Sequence, residues 1–144
     1  MKKRILFVDD DETILTCYRF TVESEDNIVY TAKDYTTALE IVSQNKIDVA
    51  VLDYKMPEIK GDELAKRINT IDPSVKIYFI SGYDIALEAV KQLNLSIYGV
   101  FRKPVNPDLL INITDIDGDG LTSYQTARYL HGNLYTNFCA VNTL

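Results

Sequence analysis

The sequence of 144 residues is poor in cysteine and has no long apolar stretch. Its two cysteines, Cys17 and Cys139, lie far apart and form neither a C-x-x-C pair nor a metal-ligand spacing. A disulfide framework is therefore not expected, and a reducing compartment is the default. No run approaches the roughly 20 apolar residues that cross a bilayer, and the basic start runs directly into acidic residues, unlike a signal peptide. These absences favour a cytoplasmic protein without a membrane partner.

Positive charge is also scarce, because 15 Lys and Arg stand against 21 Asp and Glu, giving a formal net charge of -6. Proteins that bind nucleic acids usually carry a basic patch, so direct binding of DNA or RNA is not expected. The chain has neither an internal repeat nor a low-complexity tract. With 47% hydrophobic and 25% charged residues, it is predicted to form one globular domain with a hydrophobic core.

Apolar runs alternate with segments that have the period of an amphipathic helix. The apolar runs are RILFV, IVYT, DVAVL, VKIYFI and IYGVF, at residues 4–8, 28–31, 48–52, 75–80 and 97–101. The helical segments lie at 12–24, 34–45, 61–69, 84–94 and 106–113, with N-caps predicted at Asp34 and Asn106. Strands joined by helical crossovers pair in parallel. The sequence therefore predicts an α/β fold, a doubly wound five-stranded parallel sheet with helices on both faces.

Polar side chains follow the carboxyl ends of four of these strands. In chain order they are Asp9, Asp10 and Asp11, then Asp53, then Ser81, then Lys103. Because the carboxyl ends of parallel strands meet at one edge of a sheet, we expect these side chains to converge. Crowded carboxylates need a cation to stay ionised, and carboxylate and carbonyl oxygens with water are the ligands that Mg²⁺ prefers.

This set of groups suits phosphoryl transfer. A carboxylate held beside Mg²⁺ can act as a nucleophile towards phosphorus, and the metal and a lysine can neutralise the transferring group. A hydroxyl at the next strand end can hydrogen-bond a phosphoryl oxygen. Each residue type alone has a structural explanation, since aspartates cap helices and Ser-Gly pairs form turns. Their coincidence at four strand ends favours a phosphorylation switch.

Four motifs carry a family resemblance. ILFVDDD, VLDYKMPEIKGDEL, FISGYD and VFRKPV stand in this order between residues 3 and 113. In order and spacing they resemble the receiver domain of two-component response regulators. The resemblance implies a flavodoxin-like sheet with strand order 2-1-3-4-5 and a receiver domain at residues 1–113. It implies a phosphoacceptor signalling protein, which catalyses its own phosphotransfer, rather than an enzyme acting on a separate substrate.

The resemblance also implies a role for each residue of the metal site. Asp53 is the expected phosphoacceptor and a ligand of the Mg²⁺ cofactor. Asp10 is the expected direct ligand, and Asp9 acts through a metal-bound water. Lys55 lends its backbone carbonyl.

The groups around the phosphate follow from the same resemblance. Ser81 is the expected phosphoryl-sensing hydroxyl and Lys103 the cation that pairs with the phosphate. The Lys103-Pro104 peptide bond is expected to be cis. The implied phosphodonor is a histidine kinase or a phosphotransfer protein, and the implied output is a downstream protein target.

The chain departs from the family pattern at three places. Val100 replaces the aromatic residue usual three positions before the lysine, and period two predicts Tyr98 on the same strand face. Lys55 and Tyr83 hold variable positions that control access of water, so the lifetime of the phosphorylated state stays open. The last helix is interrupted soon after Ile113.

The tail, residues 114–144, lacks lysine and glutamate and breaks the α/β alternation. Asp115 to Gly120 resembles the start of an EF-hand Ca²⁺ loop, although Thr126 stands where a bidentate Glu is expected. A faint likeness to a phosphatase motif and a segment without function are the other interpretations. His131 is predicted to end a short helix rather than bind a ligand. Two functional alternatives therefore stay open: a constitutive, non-phosphorylated interaction module and a calcium-responsive protein. The receiver either stands alone or is part of a longer protein.

Overall fold

The computed structural model describes residues 2–82, 95 and 97–115, with side chains through Ile111. The helix predicted at 84–94 and the calcium-like loop beyond Asp115 fall outside these residues. In chain order the elements are β1 (Lys3–Val8), α1 (Glu12–Val22), β2 (Asn27–Ala32), α2 (Tyr35–Gln44), β3 (Val49–Asp53), α3 (Gly61–Ile71), β4 (Lys76–Ser81), β5 (Ile97–Arg102) and α4 (Pro107–Asp115). Within the described part of the chain, no helix is long and apolar enough to cross a membrane.

The five strands form one sheet in the order β2-β1-β3-β4-β5, and every adjacent pair is parallel. The predicted fold and strand order are confirmed. β3 lies at the centre, where all five of its residues are buried. A strand covered on both faces has to be apolar throughout, which explains the run that ends in Asp53.

Helices cover both faces of the sheet. On one face, α1 and α4 pack their apolar residues against alternate side chains of the strands; we call this the α1–α4 face. On the other, α2 and α3 do the same; we call it the α2–α3 face. Tyr18 and Leu109 lie in the first core, and Val42 and Leu64 lie in the second. The sheet therefore separates two apolar cores and leaves its carboxyl edge open for polar groups.

Short polar side chains begin three of the four described helices at this edge, α1, α2 and α4. Asp11 accepts hydrogen bonds from the first-turn amides of α1. Asp34 accepts one from the Thr37 amide, at 2.7 Å, and begins α2 as predicted. The predicted cap Asn106 accepts a bond from the Asp108 amide at 2.8 Å, just as α4 begins. One of the three aspartates after β1 therefore has a structural role, which leaves Asp9 and Asp10 for the site.

The prediction that Tyr98 shares a strand face with Val100 is wrong. The register of β4 and β5 shifts, since Ile97 pairs with Ile77 whereas Gly99 pairs with Tyr78. Tyr98 is the extra residue of this bulge, and a bulge interrupts the alternation of side chains. Tyr98 therefore packs on the α1–α4 face, while Val100 lies in the core of the α2–α3 face.

Gly61 begins α3 at a point where no larger residue fits. A Cβ atom added there would lie 2.7 Å from the Tyr54 Cα, whereas one added at Gly82 would meet nothing within 4 Å. We expect Gly61→Ala to lower the free energy of unfolding by about 1–3 kcal/mol, because backbone must shift to relieve the overlap. Urea denaturation measures the difference, with Gly82→Ala as the matched control. Equal stability of the two variants would show that the loop after Asp53 yields without strain.

Candidate functional site

The acidic residues at the carboxyl edge of the sheet converge. Asp9, Asp10 and Asp53 each place one carboxylate oxygen within 4.8 Å of the others. Asp9 and Asp53 are only 1% and 5% exposed, whereas Asp10 is exposed. β1 and β3 are neighbours in the sheet, which brings residues more than 40 positions apart into one cluster. Two of the three carboxylates are therefore held out of water by the fold.

Lys103 reaches into this cluster from the end of β5. Its Nζ lies 2.6 Å from Asp9 Oδ2 and 3.5 Å from Asp53 Oδ1. The Asp9 Oδ1 atom accepts a hydrogen bond from the Asp11 amide at 2.8 Å. The Lys103-Pro104 peptide bond is cis, as expected. The ammonium group is thus shared between two buried carboxylates.

Burial and mutual repulsion set the ionisation of the site. Burial, followed by the charge of Asp9, raises the pKa of Asp53 from 3.8 to about 7, although Lys103 and a backbone hydrogen bond from Lys55 oppose the shift. Burial also raises the pKa of Asp9 against the attraction of Lys103. Burial works to lower the pKa of Lys103, but the charges of Asp9 and Asp53 outweigh it and raise that pKa. Three carboxylates thus converge on one lysine, and burial together with their mutual repulsion favours the protonated form of Asp53.

The remaining predicted residues border the cluster. Ser81 is buried at the end of β4, next to Ile80, which is the register partner of Asp53. The Ser81 carbonyl accepts a hydrogen bond from the Lys103 amide at 2.6 Å, which joins the ends of β4 and β5. Lys55 is exposed in the loop after β3, where its backbone hydrogen-bonds Asp53. The fold thus places Ser81 on the adjacent strand end and Lys55 two residues after the central carboxylate.

Sequence reasoning assigned no role to Tyr54, which directly follows Asp53. Its ring meets Phe79 edge-on, with centroids 5.4 Å apart and an angle of 89° between the planes. Its amide donates to the Ile80 carbonyl at 2.9 Å, and its carbonyl accepts from the Gly61 amide at 2.7 Å. Burial, and then the nearby Asp62 carboxylate, raise the pKa of its phenol. The only signal in the sequence was an aromatic residue immediately after a strand-end aspartate.

The donor set fits a hard divalent cation. Three carboxylates converge, and such oxygen ligands are what Mg²⁺ takes in proteins, usually with several waters. The exposed Asp10 lies on the solvent side of the cluster, where a hydrated ion can enter. A cation placed among the carboxylates would offset the repulsion that raises the pKa of Asp53.

The chain is similar in sequence to known receiver domains and regulators. The family model described as the response regulator receiver domain matches residues 5–115. The alkaline phosphatase synthesis transcriptional regulatory protein PhoP of Bacillus subtilis is 32% identical over 107 residues, covering 74% of this chain and 45% of that protein. Sporulation initiation phosphotransferase F of the same species is 28% identical over 108 residues, covering 75% of this chain and 87% of that protein.

Solved structures that are similar to this chain include receiver domains. A CheY-like receiver domain from Methanospirillum hungatei has 33% identity and a TM-score of 0.70, covering 76% of this chain and 89% of that one. A receiver domain from Clostridium thermocellum has 32% identity and a TM-score of 0.66, covering 76% and 91% of the two chains. The chain spans 45% of PhoP and 25% of the Escherichia coli regulator GlrR, so those longer proteins are matched only in part. From the family match and these relatives, the chain belongs to the response regulator receiver family of two-component signalling proteins.

Proposed function

We propose that this receiver accepts a phosphoryl group on Asp53, with Mg²⁺ as cofactor. The donor is the phosphohistidine of a histidine kinase or a phosphotransfer protein, and the phosphorylated form binds a downstream protein target differently. The observation that carries the proposal is the position of Asp53, a buried carboxylate 3.5 Å from the Lys103 ammonium at the open edge of the sheet. A nucleophile and a neutralising cation are thus adjacent where a donor can approach.

Besides the Mg²⁺ cofactor and the donor, the transfer uses side chains that this chain carries. A carboxylate oxygen of Asp53 attacks phosphorus, and the P–N bond to the donor imidazole breaks with its electron pair leaving on nitrogen. Asp53 then holds an acyl phosphate. The Lys103 ammonium, already 2.6 Å from Asp9 and 3.5 Å from Asp53, pairs with the phosphoryl oxygens. The Ser81 hydroxyl, at the neighbouring strand end, donates a hydrogen bond to one of them.

Four residues would hold the metal. Asp10 and Asp53 would bind it directly, Asp9 through a water, and Lys55 through its backbone carbonyl. Mg²⁺ would neutralise charge on the phosphoryl group during its transfer. Among the chain's own residues, Asp53 has to be ionised to attack, and Lys103 favours its ionised form.

The proposal is tested by incubating the protein with Mg²⁺ and acetyl phosphate and recording its intact mass. We expect the wild type to gain one phosphoryl group and Asp53→Asn to gain none, because the amide is not a nucleophile of this kind. Asp34→Asn is the matched control, since it also removes a carboxylate near the sheet edge but keeps a side chain that can cap α2. It should gain the phosphoryl group like the wild type.

Absence of a mass gain in folded wild-type protein would contradict the proposal and favour the constitutive, non-phosphorylated interaction module. Equal gains in the wild type and Asp53→Asn would show that another residue is the acceptor.

The proposal includes a cytoplasmic location, which cysteine usage supports, and a receiver domain at residues 1–113 followed by a separate tail. The calcium-responsive alternative depends on residues beyond Asp115 and stays a prediction.

A further inference from the structure

On its α2–α3 face, β5 carries aliphatic and no aromatic side chains, since only Ile97 and Val100 lie there. Val100 is 7% exposed and lies opposite Phe79 of β4. The aromatic residues of β5, Tyr98 and Phe101, both lie on the α1–α4 face and pack against Tyr78. A valine has one short rotor and cannot move a large volume between two positions. A movement of β5 on this face therefore has to be driven by a larger side chain outside β5.

Tyr54 provides a large aromatic side chain on that same face. Its ring belongs to the α2–α3 core and meets the edge of the Phe79 ring at 5.4 Å. Phe79 is in turn the register partner of Val100, so their side chains stand side by side on adjacent strands about 4.8 Å apart. An unbroken row therefore runs from the residue after Asp53, through Phe79, to Val100 on β5.

The backbone of Tyr54 links this row firmly to the acceptor residue. One peptide unit separates it from Asp53, and two hydrogen bonds join it to the Ile80 carbonyl and the Gly61 amide. Gly61 has no room for a side chain, so the two backbones are in close contact. A closely packed interior transmits small displacements because it has few voids to absorb them. A change in the position of Asp53 is thus expected to displace the Tyr54 ring.

We propose that phosphorylation of Asp53 is transmitted to β5 through the edge-to-face contact of Tyr54 with Phe79, which replaces an aromatic residue at position 100. The inference rests on the proposed phosphorylation of Asp53 and adds the route by which it is read. Tyr54 acts on the output and does not take part in the transfer itself.

The test uses the methyl groups of Val100 as reporters at the far end of the row. Protein with ¹³C-labelled valine methyl groups is titrated with beryllium trifluoride and Mg²⁺, a mimic of the phosphoryl group. In the wild type we expect the Val100 methyl resonances to shift. In Tyr54→Ala the shift should be largely lost, whereas Tyr54→Phe, which keeps the ring, should retain it. Tyr54→Leu, which keeps apolar bulk without a ring, makes the same comparison if Tyr54→Ala does not fold.

Tyr35→Ala is the matched control, because Tyr35 is also a half-buried tyrosine on the α2–α3 face but stacks with Arg67 instead of Phe79. It should leave the Val100 shift unchanged. A shift in Tyr54→Ala as large as in the wild type would overturn the proposal.

Intact-mass measurements on the same variants separate this inference from the proposed function. Phosphorylation of Tyr54→Ala at the wild-type level, with the Val100 shift lost, is the expected result. Loss of phosphorylation in that variant would overturn the inference, because the ring would then act on the site and not downstream of it. No phosphorylation in any protein, the wild type included, would contradict the proposed function itself.

Discussion

Replacing Lys103 with methionine is expected to destabilise the metal-free protein by about 2–4 kcal/mol near pH 7, because it leaves two buried carboxylates without their cation. Lys103 lies 2.6 Å from Asp9 and 3.5 Å from Asp53, and those carboxylates are among the few buried charged groups in the described residues. Methionine keeps most of the side-chain volume, so the effect reports charge and not packing. Urea denaturation at pH 7.5, with a chelator present, measures the loss.

The same variant should lose less stability in acid. Both Asp9 and Asp53 have raised pKa values in the folded state, so both take up protons more readily than ordinary aspartates and need the lysine less as pH falls. Lys46→Met is the matched control, since Lys46 pairs with Asp72 at 3.2 Å in an exposed position. Such surface pairs contribute about 1 kcal/mol or less. Equal losses for the two variants at pH 7.5 would show that Lys103 does not balance the cluster.

Asp53→Asn is expected to have the opposite effect and stabilise the metal-free protein above pH 7 by about 1–3 kcal/mol. The folded pKa of Asp53 is about 7, against an ordinary value of 3.8. Between these values the folded protein holds a proton that the unfolded chain has released, so the free energy of unfolding falls as pH rises from about 4 to 7. One pKa unit corresponds to about 1.4 kcal/mol, which sets a ceiling of roughly 4 kcal/mol. Asparagine cannot ionise and avoids this loss.

The stabilisation should therefore disappear towards pH 4, where Asp53 is protonated in the folded protein. Thermal unfolding of both proteins across pH 4 to 8 measures the two curves, which should converge in acid and separate by pH 7. Asp34→Asn should show no gain at high pH, because hydrogen bonds from Thr37 lower the pKa of Asp34. A difference in stability between Asp53→Asn and the wild type that is the same at every pH would mean that ionisation of the buried Asp53 does not destabilise the folded protein.

Much of the site could be predicted from the sequence because strand ends follow from simple periodicity. Five apolar runs separated by helical segments determine a parallel sheet, and a parallel sheet brings its carboxyl ends to one edge. The convergence of Asp9, Asp10, Asp53 and Lys103 follows from that topology without any knowledge of side-chain contacts. The structure adds that Asp9 is the main partner of Lys103, which no spacing in the sequence could indicate.

Two features depend on packing and were not predicted from the sequence. The bulge in β5 moves Tyr98 to the face opposite Val100. The sequence of an apolar strand looks the same with or without one extra residue, so the bulge could not be recognised from it. The contact of Tyr54 with Phe79 joins the loop after β3 to β4, and the loop backbone at Tyr54 lies directly against Gly61. Both features depend on how neighbouring segments of the chain pack together. The periodicity of a single segment carries no information about that packing.

The most direct test of the account is chemical mapping of the phosphorylated residue. Protein treated with acetyl phosphate and Mg²⁺ is reduced with borohydride, which converts an aspartyl phosphate into homoserine, and then digested and sequenced by mass spectrometry. The expected result is homoserine at position 53 and at no other aspartate, with none in Asp53→Asn or in untreated protein. Homoserine at position 9 or 10, or unmodified aspartate at 53 in protein that has gained a phosphoryl group, would contradict it.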